Sequence, residues 1–401
     1  MIFLLNIRTF VLEVVCILTA VTQQGDIIIS ANYSRERLSE LKKSNTFLCL
    51  QCNAEVILKN GLINIPHFAH TSNSECTHSF SEGESEDHLN GKIQLYEFLK
   101  QQKRKPQLEP FIPTIQQRPD ILVPHSHSAV AIEYQCSPIL TTIMDRRNEG
   151  YKRQNIEPLW ILKTPSISEF PSREIGKMSL PAFYQKFFFV TPTNGKMIIT
   201  YNPHTKHFHY ISNPLHIKSN NYVVKVKRLS IEKQSWPFAL VKRISAHEYE
   251  TYLRIYREQR FKHLNNLYYY NRKGVQSPFL QICYKWRLQP KQIPFFIGIP
   301  TAYAEAFSVH AVEWQVRFID YLNTFKIPLE QASNTHCEMF LLNTPTVSNL
   351  QPSKLEAVKS YLDILQQCLI KSDTVTFLCD FNNSKMNRLL YIDFLAKRPE
   401  N

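Results

Sequence analysis

Two carboxylates occupy neighbouring strand-like segments, at a spacing that suits a shared metal ion. Alternation in the segment AVAIEYQCS places Glu133 and Gln135 on one face, away from the apolar face. Asp120 opens the segment DILV, and a hairpin through residues 125–128 would bring its carboxylate beside Glu133. Mg²⁺ or Mn²⁺ binds through such carboxylates and completes its shell with water and substrate phosphate. The pair therefore predicts metal-assisted phosphodiester hydrolysis, with Gln135 orienting the attacking water.

A polar helix face precedes these strands. Glu84, His88 and Lys92 recur at every fourth position, opposite the apolar Leu89 and Ile93. We expect this face to line the same cleft, where its side chains act as a further metal ligand or as a proton shuttle. The alternative is an ordinary solvated helix face beside ordinary surface carboxylates.

A second group of residues has the spacing of a metal knuckle. Cys49 and Cys52 form a Cys-x-x-Cys turn, His67 and His70 follow, and Cys76 closes the group. Zn²⁺ takes four tetrahedral nitrogen or sulfur ligands, and such a turn supplies two thiolates from one bend. The sequence leaves open which four of the five bind. We favour Cys49, Cys52, His70 and Cys76, with His67 as competitor or support, in a structural zinc site. The alternative is a pair of thiols near unrelated histidines.

Composition limits the class of protein. A chain of 401 residues with 43% hydrophobic residues can form two or three folded domains, which excludes a disordered protein. Nine cysteines, an odd number spread along the chain, are typical of a reducing cytoplasm rather than a disulfide framework. Arg8 and Glu13 interrupt the apolar start, so a signal peptide or membrane span is not expected there. Residues 1–16 are interpreted as an extension or a misplaced start.

The positive charge is concentrated in one quarter of the chain. Residues 201–300 hold 17 Lys and Arg against 4 Asp and Glu, which equals the net +13 of the whole chain. Arg254, Arg257 and Arg260 recur every three residues and are predicted to form a DNA-binding stripe, with nearby aromatic rings stacking on unpaired bases. Single-stranded or branched DNA would suit both. The alternative is a solvated helix face whose aromatic residues lie in the core. No glycine-rich Walker loop occurs, which argues against an ATP-driven motor.

These patterns predict a mixed α/β (α+β) protein with three domains. Short strands and turns over residues 17–80 form an N-terminal zinc-knuckle domain, and a helix followed by strands forms a core over 81–170. Within that core, Ser137 with Pro138 is predicted to open a second helix. Residues 171–401 are predicted to form a basic, mainly helical C-terminal domain.

The same residues carry a family resemblance. The runs GESEDHLNGK, LEPFIPTIQQRPDILV and AIEYQCSPI, followed by paired arginines, Tyr151 and the strand LWIL, resemble the competence protein CoiA family, as does the segment CLQC through HFAH. The resemblance implies a restriction-endonuclease-like core similar to PD-(D/E)XK nucleases, with Asp120 as the motif's Asp and Glu133 as its second acid. Gln135 stands where that motif has Lys. Lys92 or another base substitutes for it, or turnover is slow, or the fold binds DNA without cutting it.

Family membership implies a cytoplasmic competence factor that processes incoming DNA during natural transformation and recombination, by Mg²⁺- or Mn²⁺-dependent hydrolysis. Arg118, Arg146 and Arg147 are then expected to contact DNA, and recombination proteins are expected partners. The alternative function is a non-catalytic DNA-binding or scaffold protein on a degenerate nuclease fold, and a structured RNA binder is a more distant one.

Overall fold

The computed structural model describes residues 16–70, 85–125, 128–190, 195–270, 274–343, 352–371, 373 and 379–396. The predicted extension up to residue 15, Glu84 and Cys76 therefore lie outside the described residues. The described part is a mixed α/β protein, as predicted. The strands are β1 (Cys16–Ile17), β2 (Thr19–Thr22), β3 (Ile27–Ile29), β4 (Phe47–Leu48), β5 (Glu55–Lys59), β6 (His67–His70), β7 (Gln107–Leu108), β8 (Ile121–His125), β9 (Ser128–Gln135), β10 (Ile156–Lys163), β11 (Ile175–Ser179), β12 (Phe189–Val190), β13 (Lys196–Asn202), β14 (His207–Lys218), β15 (Asn221–Ser230), β16 (Leu369–Lys371) and β17 (Asp380–Phe381). The helices are α1 (Arg35–Ser44), α2 (Glu86–Gln101), α3 (Thr141–Arg153), α4 (Ala182–Gln185), α5 (Ala246–Tyr269), α6 (Pro278–Lys285), α7 (Ala311–Thr324), α8 (Asn334–Asn343), α9 (Pro352–Cys368) and α10 (Asn383–Ala396).

The chain divides into two compact units. The first unit runs to Thr164 and also takes in Ile199–His209 and Arg228–Ala239. The second unit comprises Pro165–Ile198, Tyr210–Lys227 and the chain from Leu240 onward. Strands of the segment 171–230 thus contribute residues to both units, although the sequence assigned all of that segment to the C-terminal domain.

An antiparallel sheet opens the first unit, with strand order β1-β6-β5-β4-β2-β3. Its apolar face packs Ile17, Leu38, Phe47 and Phe68 into a small core. β5 and β6 pair antiparallel as a hairpin whose loop spans residues 60–66. This small sheet carries the Cys and His residues of the predicted knuckle.

A second sheet of the first unit carries the carboxylates. β7 pairs with β8 and β8 with β9 as antiparallel neighbours, whereas β9 pairs with β10 in parallel. A parallel pair needs a crossover connection, and α3 supplies it. This helix begins at Thr141 with Leu140 as its N-cap, so the prediction that Ser137 caps it and Pro138 opens it is wrong by three residues.

Helix α2 lies close against β9. Its N-cap Ser85 accepts a hydrogen bond from the backbone N–H of His88, which fixes where the helix starts. At Gly91 a Cβ atom would lie only 2.0 Å from a ring carbon of Tyr134, so this contact requires glycine. The close approach brings the polar side chains of α2 to the carboxyl-bearing part of the sheet.

The second unit is mainly helical from α5 onward. A capping box between Ser245 and Glu248 starts α5, and the buried side chains of this helix join a large core with those of α7 and α9. Tyr252 and Tyr256 of α5 are fully buried in that core, beside Trp314 and Tyr361. Strands β11 and β15 pair antiparallel in the same unit. In the part of the chain that the structure describes, no helix combines the length and apolarity needed to span a membrane.

Candidate active site and metal centre

Asp120 and Glu133 occupy opposed positions at the start of the β8–β9 pair. Ile121 pairs with Ile132, so the next position outward sets Asp120 against Glu133, in line with the hairpin expected through residues 125–128. The carbonyl oxygen of Asp120 accepts a hydrogen bond from the Glu109 N–H at 2.9 Å, which holds the chain in line before β8 begins. The two acids are therefore neighbours across an antiparallel pair.

The Asp120 carboxylate is held by three donors or charges. The Tyr134 N–H donates to Oδ2 at 2.8 Å, the His88 Nε2 lies 3.4 Å from the same oxygen, and the Lys92 Nζ lies 3.7 Å from Oδ1. Burial alone would raise the pKa of Asp120, but the charges of Lys92 and His88 and these hydrogen bonds hold it well below its ordinary value. Asp120 is therefore ionised at neutral pH.

The two carboxylate oxygens of Glu133 have different hydrogen-bond partners. Arg147 and the Tyr151 hydroxyl both donate to Oε1, whereas Oε2 accepts no hydrogen bond from the described residues. The residue is only 5% exposed. Burial raises the pKa of Glu133, Arg147 opposes the rise, and the negative charge of Asp120 adds to it. The two negative charges repel each other, and a cation beside both carboxylates would relieve the repulsion. The Asp120 carboxylate and Oε2 of Glu133 are therefore suitable ligands for a divalent ion.

Lys92 is enclosed by the protein. Its side chain is 0% exposed and its Nζ lies 2.5 Å from Oε1 of Glu109, which is itself buried. Oε2 of Glu109 accepts the backbone N–H groups of Leu18, at 2.8 Å, and Thr19, at 3.1 Å. Lys92 thus supports Asp120 from inside the protein and offers no surface to a substrate. Sequence reasoning missed Glu109, because its partners lie 17 and about 90 positions away along the chain.

Gln135 turns toward the backbone. Its Nε2 donates to the Ser137 carbonyl at 2.8 Å. Beside it, burial raises the pKa of the Cys136 thiol to about 12, which leaves that thiol protonated and a poor nucleophile.

A polar cluster that the sequence did not indicate lies at the start of α2. Asp87 accepts from Lys163 Nζ at 2.5 Å and lies 2.6 Å from His204 Nε2. The hydrogen bond and charge of Lys163, with those of His204, lower the pKa of Asp87 although burial opposes the change. The Lys163 side chain is 44% exposed, so its charge reaches solvent. Its partner Asp87 directly precedes His88 in the sequence. The register of β9 with β10 could have indicated Lys163, because Leu162 pairs with Gln135 and Lys163 is the next residue of β10.

The three arginines predicted to contact DNA lie in different surroundings. Arg146 is exposed on α3, whereas Arg147 is held on Glu133 and on the Arg118 carbonyl. Arg118 is half-buried, and its charge acts on the Cys49 thiol. Contacts of these side chains with DNA stay a prediction, and Arg147 has a structural partner of its own.

Three of the five predicted knuckle residues come together. The ligand atoms of Cys49, Cys52 and His70 all lie within 4.8 Å of one another, and Cys52 Sγ is 3.3 Å from His70 Nε2. In the described ranges no other His, Cys, Asp or Glu residues form such a group of three. The turn between β4 and β5 brings the thiols together, with Asn53 in the left-handed conformation at φ 57°.

The chemistry of this group suits a metal. Burial opposes ionisation of Cys49, but hydrogen bonds from His70 and from the N–H groups of Cys52 and Gln51 lower its pKa to about 6. The thiolate is the form that binds metal. The buried Nδ1 of His70 has no hydrogen-bond partner among the described residues.

His67 and Cys76 differ from these three. His67 lies three positions before His70 in β6, on the opposite face, and its Nδ1 is 2.8 Å from the Ile65 carbonyl oxygen. His67 is therefore outside the group, while Cys76 stays a predicted fourth ligand outside the described residues.

The arginines of α5 do not share one exposed face. Arg254 pairs with Glu258 at 3.1 Å and Arg257 donates to Asn387 at 2.7 Å, both at the surface. Arg260 instead points inward and donates to the carbonyls of Ile293, Pro294 and Ile297. The structure therefore corrects the prediction of one exposed arginine stripe at Arg260. Steps of three residues turn by 300° on a helix of 100° per residue, so Arg254 and Arg260 diverge by about 120°.

Comparison with known proteins adds the family. Residues 84–244 match the model of the competence protein CoiA nuclease-like domain, and residues 30–79 match the CoiA N-terminal domain. A competence protein CoiA of Bacillus subtilis (strain 168) is 35% identical over 191 residues, which are 48% of this chain and 50% of that protein. The chain thus spans about half the length of this curated relative. No solved structure matches the chain significantly. The chain belongs to the competence protein CoiA family.

Proposed function

We propose that the first unit hydrolyses DNA phosphodiester bonds with the help of a divalent metal ion, on a restriction-endonuclease-like core. One observation carries the proposal: Oε2 of buried Glu133 accepts no hydrogen bond from the described residues, directly across the strand pair from ionised Asp120. A carboxylate oxygen without a protein partner among the described residues, beside a second ionised carboxylate, is free to bind a divalent ion, and the ion would relieve the repulsion between the two acids. The match to a nuclease-like domain model supports the same reading.

Each residue then has a defined part. Asp120 and Glu133 would hold Mg²⁺ or Mn²⁺, which when bound polarises the phosphate and makes water a better nucleophile. His88, with its side chain 19% exposed and 3.4 Å from Asp120, is positioned to move a proton at the site. Arg147 and Tyr151 fix the orientation of Glu133 through Oε1. Glu84 lies outside the described residues and stays a candidate for a further ligand.

The missing motif lysine has a replacement in this proposal. Lys92 cannot touch a phosphate because it is fully buried, so it acts by stabilising ionised Asp120. Lys163 is the accessible cation of the site and would contact the scissile or a neighbouring phosphate. Gln135 would reach the water only by releasing the Ser137 carbonyl.

The cellular role follows from the family. The Bacillus subtilis relative is a competence protein, and on that ground we propose that the activity serves the processing of incoming DNA during natural transformation, in the cytoplasm and near recombination proteins. We also assign zinc, in a structural role, to Cys49, Cys52 and His70 with Cys76 as the fourth ligand, because two thiols and an imidazole favour Zn²⁺ over Mg²⁺.

A second candidate function is non-catalytic DNA binding or scaffolding. Two observations favour it: Oε1 of Glu133 is already held by Arg147 and Tyr151, and the Gln135 amide donates to the Ser137 carbonyl. These contacts would suit a fold that keeps its shape without turnover.

A cleavage panel separates the two functions. The full chain is incubated with Mg²⁺ or Mn²⁺ and with single-stranded, duplex, flap and junction DNA, beside Asp120→Asn and the surface control Asp145→Asn. Metal-dependent cutting by wild type and control that Asp120→Asn lowers by 100-fold or more, as about 3 kcal/mol of lost transition-state stabilisation would, supports hydrolysis. The scaffold function takes over if wild type cuts none of the four substrates.

A further inference from the structure

The C-terminal part of α5, with its C-cap Tyr270, presents aromatic side chains to solvent. Phe261 is 57% exposed, Tyr268 51%, Tyr269 70% and Tyr270 78%. The rings of Tyr268 and Tyr269 are 4.8 Å apart between centroids, and those of Tyr269 and Tyr270 are 6.4 Å apart. We call these four exposed residues the aromatic face; of them, Phe261 and Tyr268 are seven positions apart and lie on the same side of the helix. Other large rings of the same helix are buried, so exposure is confined to this end.

The segment of sequence that contains the aromatic face carries charge of one sign, although Glu258 directly precedes this segment and pairs with Arg254. From residue 259 to residue 304 the sequence contains seven Lys and Arg and no Asp or Glu. Lys262 lies next to Phe261, is exposed, and makes no hydrogen bond or ion pair with the described residues. Arg254 and Arg257 continue the exposed side of α5, since Phe261 follows Arg257 by four residues and Arg254 by seven.

The combination of exposed aromatic rings and positive charge favours one class of ligand. Exposed rings stack on unpaired bases, whereas the bases of a duplex are already stacked on one another and leave only the phosphates to the cations. From Arg254 to Tyr268 the helix rises by about 21 Å, which suits a short stretch of extended strand. We infer that the aromatic face, with Lys262, Arg254 and Arg257, binds single-stranded DNA. The inference rests on the proposed function only in choosing DNA over RNA.

Binding of a fluorescein-labelled 20-nucleotide oligo(dT) to the full chain, measured by anisotropy without added divalent ions, tests the inference. Because nothing is cut in this assay, its failure and that of the proposed hydrolysis are distinguishable. We expect Tyr268→Ser with Tyr269→Ser to weaken oligo(dT) binding at least about 10-fold. Replacing both tyrosines by Phe should keep the affinity within twofold, because stacking needs the ring and not the hydroxyl.

Phe325→Ser provides the matched control. Phe325 is 62% exposed at the end of α7, about 18 Å along that helix from Glu313, whose carboxylate meets His263 of α5. This variant should bind like wild type. Replacing Arg254 and Arg257 by Gln should lower the salt slope by about 1.4, at about 0.7 per single-strand phosphate contact.

Three results would overturn the inference. The first is binding of oligo(dT) within twofold of wild type by serine variants that are folded by circular dichroism. The second is a loss of affinity of these variants for a 20-base-pair duplex as strong as their loss for the single strand. The third is tighter binding of a 20-nucleotide oligo(rU) than of oligo(dT) by the wild type.

Discussion

The buried pair Lys92–Glu109 gives a sharp quantitative expectation. Lys92 is 0% exposed, its Nζ is 2.5 Å from Glu109 and 3.7 Å from Asp120, and Glu109 also accepts two backbone N–H groups from the N-terminal sheet. The perturbations are Lys92→Met, which removes the cation, and Glu109→Gln, which removes the charge but keeps an oxygen acceptor. Met fills a space similar to that of the lysine stem, so lost packing is a minor part of the effect.

The size of the expected loss of stability follows from the burial of the Lys92–Glu109 pair. Removing one partner of a buried ion pair costs about 3–5 kcal/mol, because the other charge stays uncompensated. We expect about 3 kcal/mol for each single variant, the lower end, since Glu109 keeps two N–H donors and Lys92 keeps Asp120. The double variant leaves no unpaired charge between the two positions. The double variant should cost about 3 kcal/mol in total, whereas two independent costs would sum to about 6 kcal/mol. The difference is a coupling energy of about 3 kcal/mol between the two residues.

Hydrogen exchange of peptides covering β8 and β9 measures the effect, because the two units can unfold in separate steps and a single melting curve would mix them. The free energy of opening in these strands should fall by the amounts given. The reasoning is refuted if either single variant costs less than about 1 kcal/mol, or if the two costs simply add in the double variant.

Three further expectations follow. Cys52→Ser should reduce bound zinc, measured by mass spectrometry of the purified chain, from about one equivalent to near zero, and unchanged content would exclude this centre. Burial, with the charges of Arg228 and His207, lowers the pKa of His209 to about 4, so the unfolded chain binds the extra proton and stability is lost as pH falls from about 6.5 to about 4. The loss reaches about 3 kcal/mol in urea unfolding, and His209→Gln should remove this part of the pH dependence. Arg260→Gln should destabilise the second unit by about 2 kcal/mol or more because three carbonyls lose a charged donor, whereas exposed Arg257→Gln should cost under about 1 kcal/mol.

Local patterns predicted the local parts of the site. The hairpin expected through residues 125–128 set Asp120 beside Glu133, and the Cys-x-x-Cys turn with a following histidine located Cys49, Cys52 and His70. Both patterns depend on the geometry of one strand pair or one turn, which few neighbouring residues fix. They could be recognised without knowing the rest of the fold.

Contacts between distant segments could not be predicted in the same way. Glu109 joins Lys92 to the backbone of Leu18, and Lys163 reaches Asp87 from another strand. Such pairs depend on how sheets and helices pack, and a sequence pattern of one segment contains no signal of its partner. The arginine spacing of α5 failed for a related reason, because the burial of Arg260 depends on carbonyls more than 30 positions away.

The central claim, that Asp120 and Glu133 share a divalent ion, is tested most directly by Mn²⁺ binding to the full chain, followed by electron paramagnetic resonance. The account predicts one bound Mn²⁺ in wild type and in Asp145→Asn, and at least a 10-fold weaker site in Asp120→Asn and in Glu133→Gln, with each variant folded by circular dichroism. Equal Mn²⁺ affinity in wild type and both acid variants would contradict it.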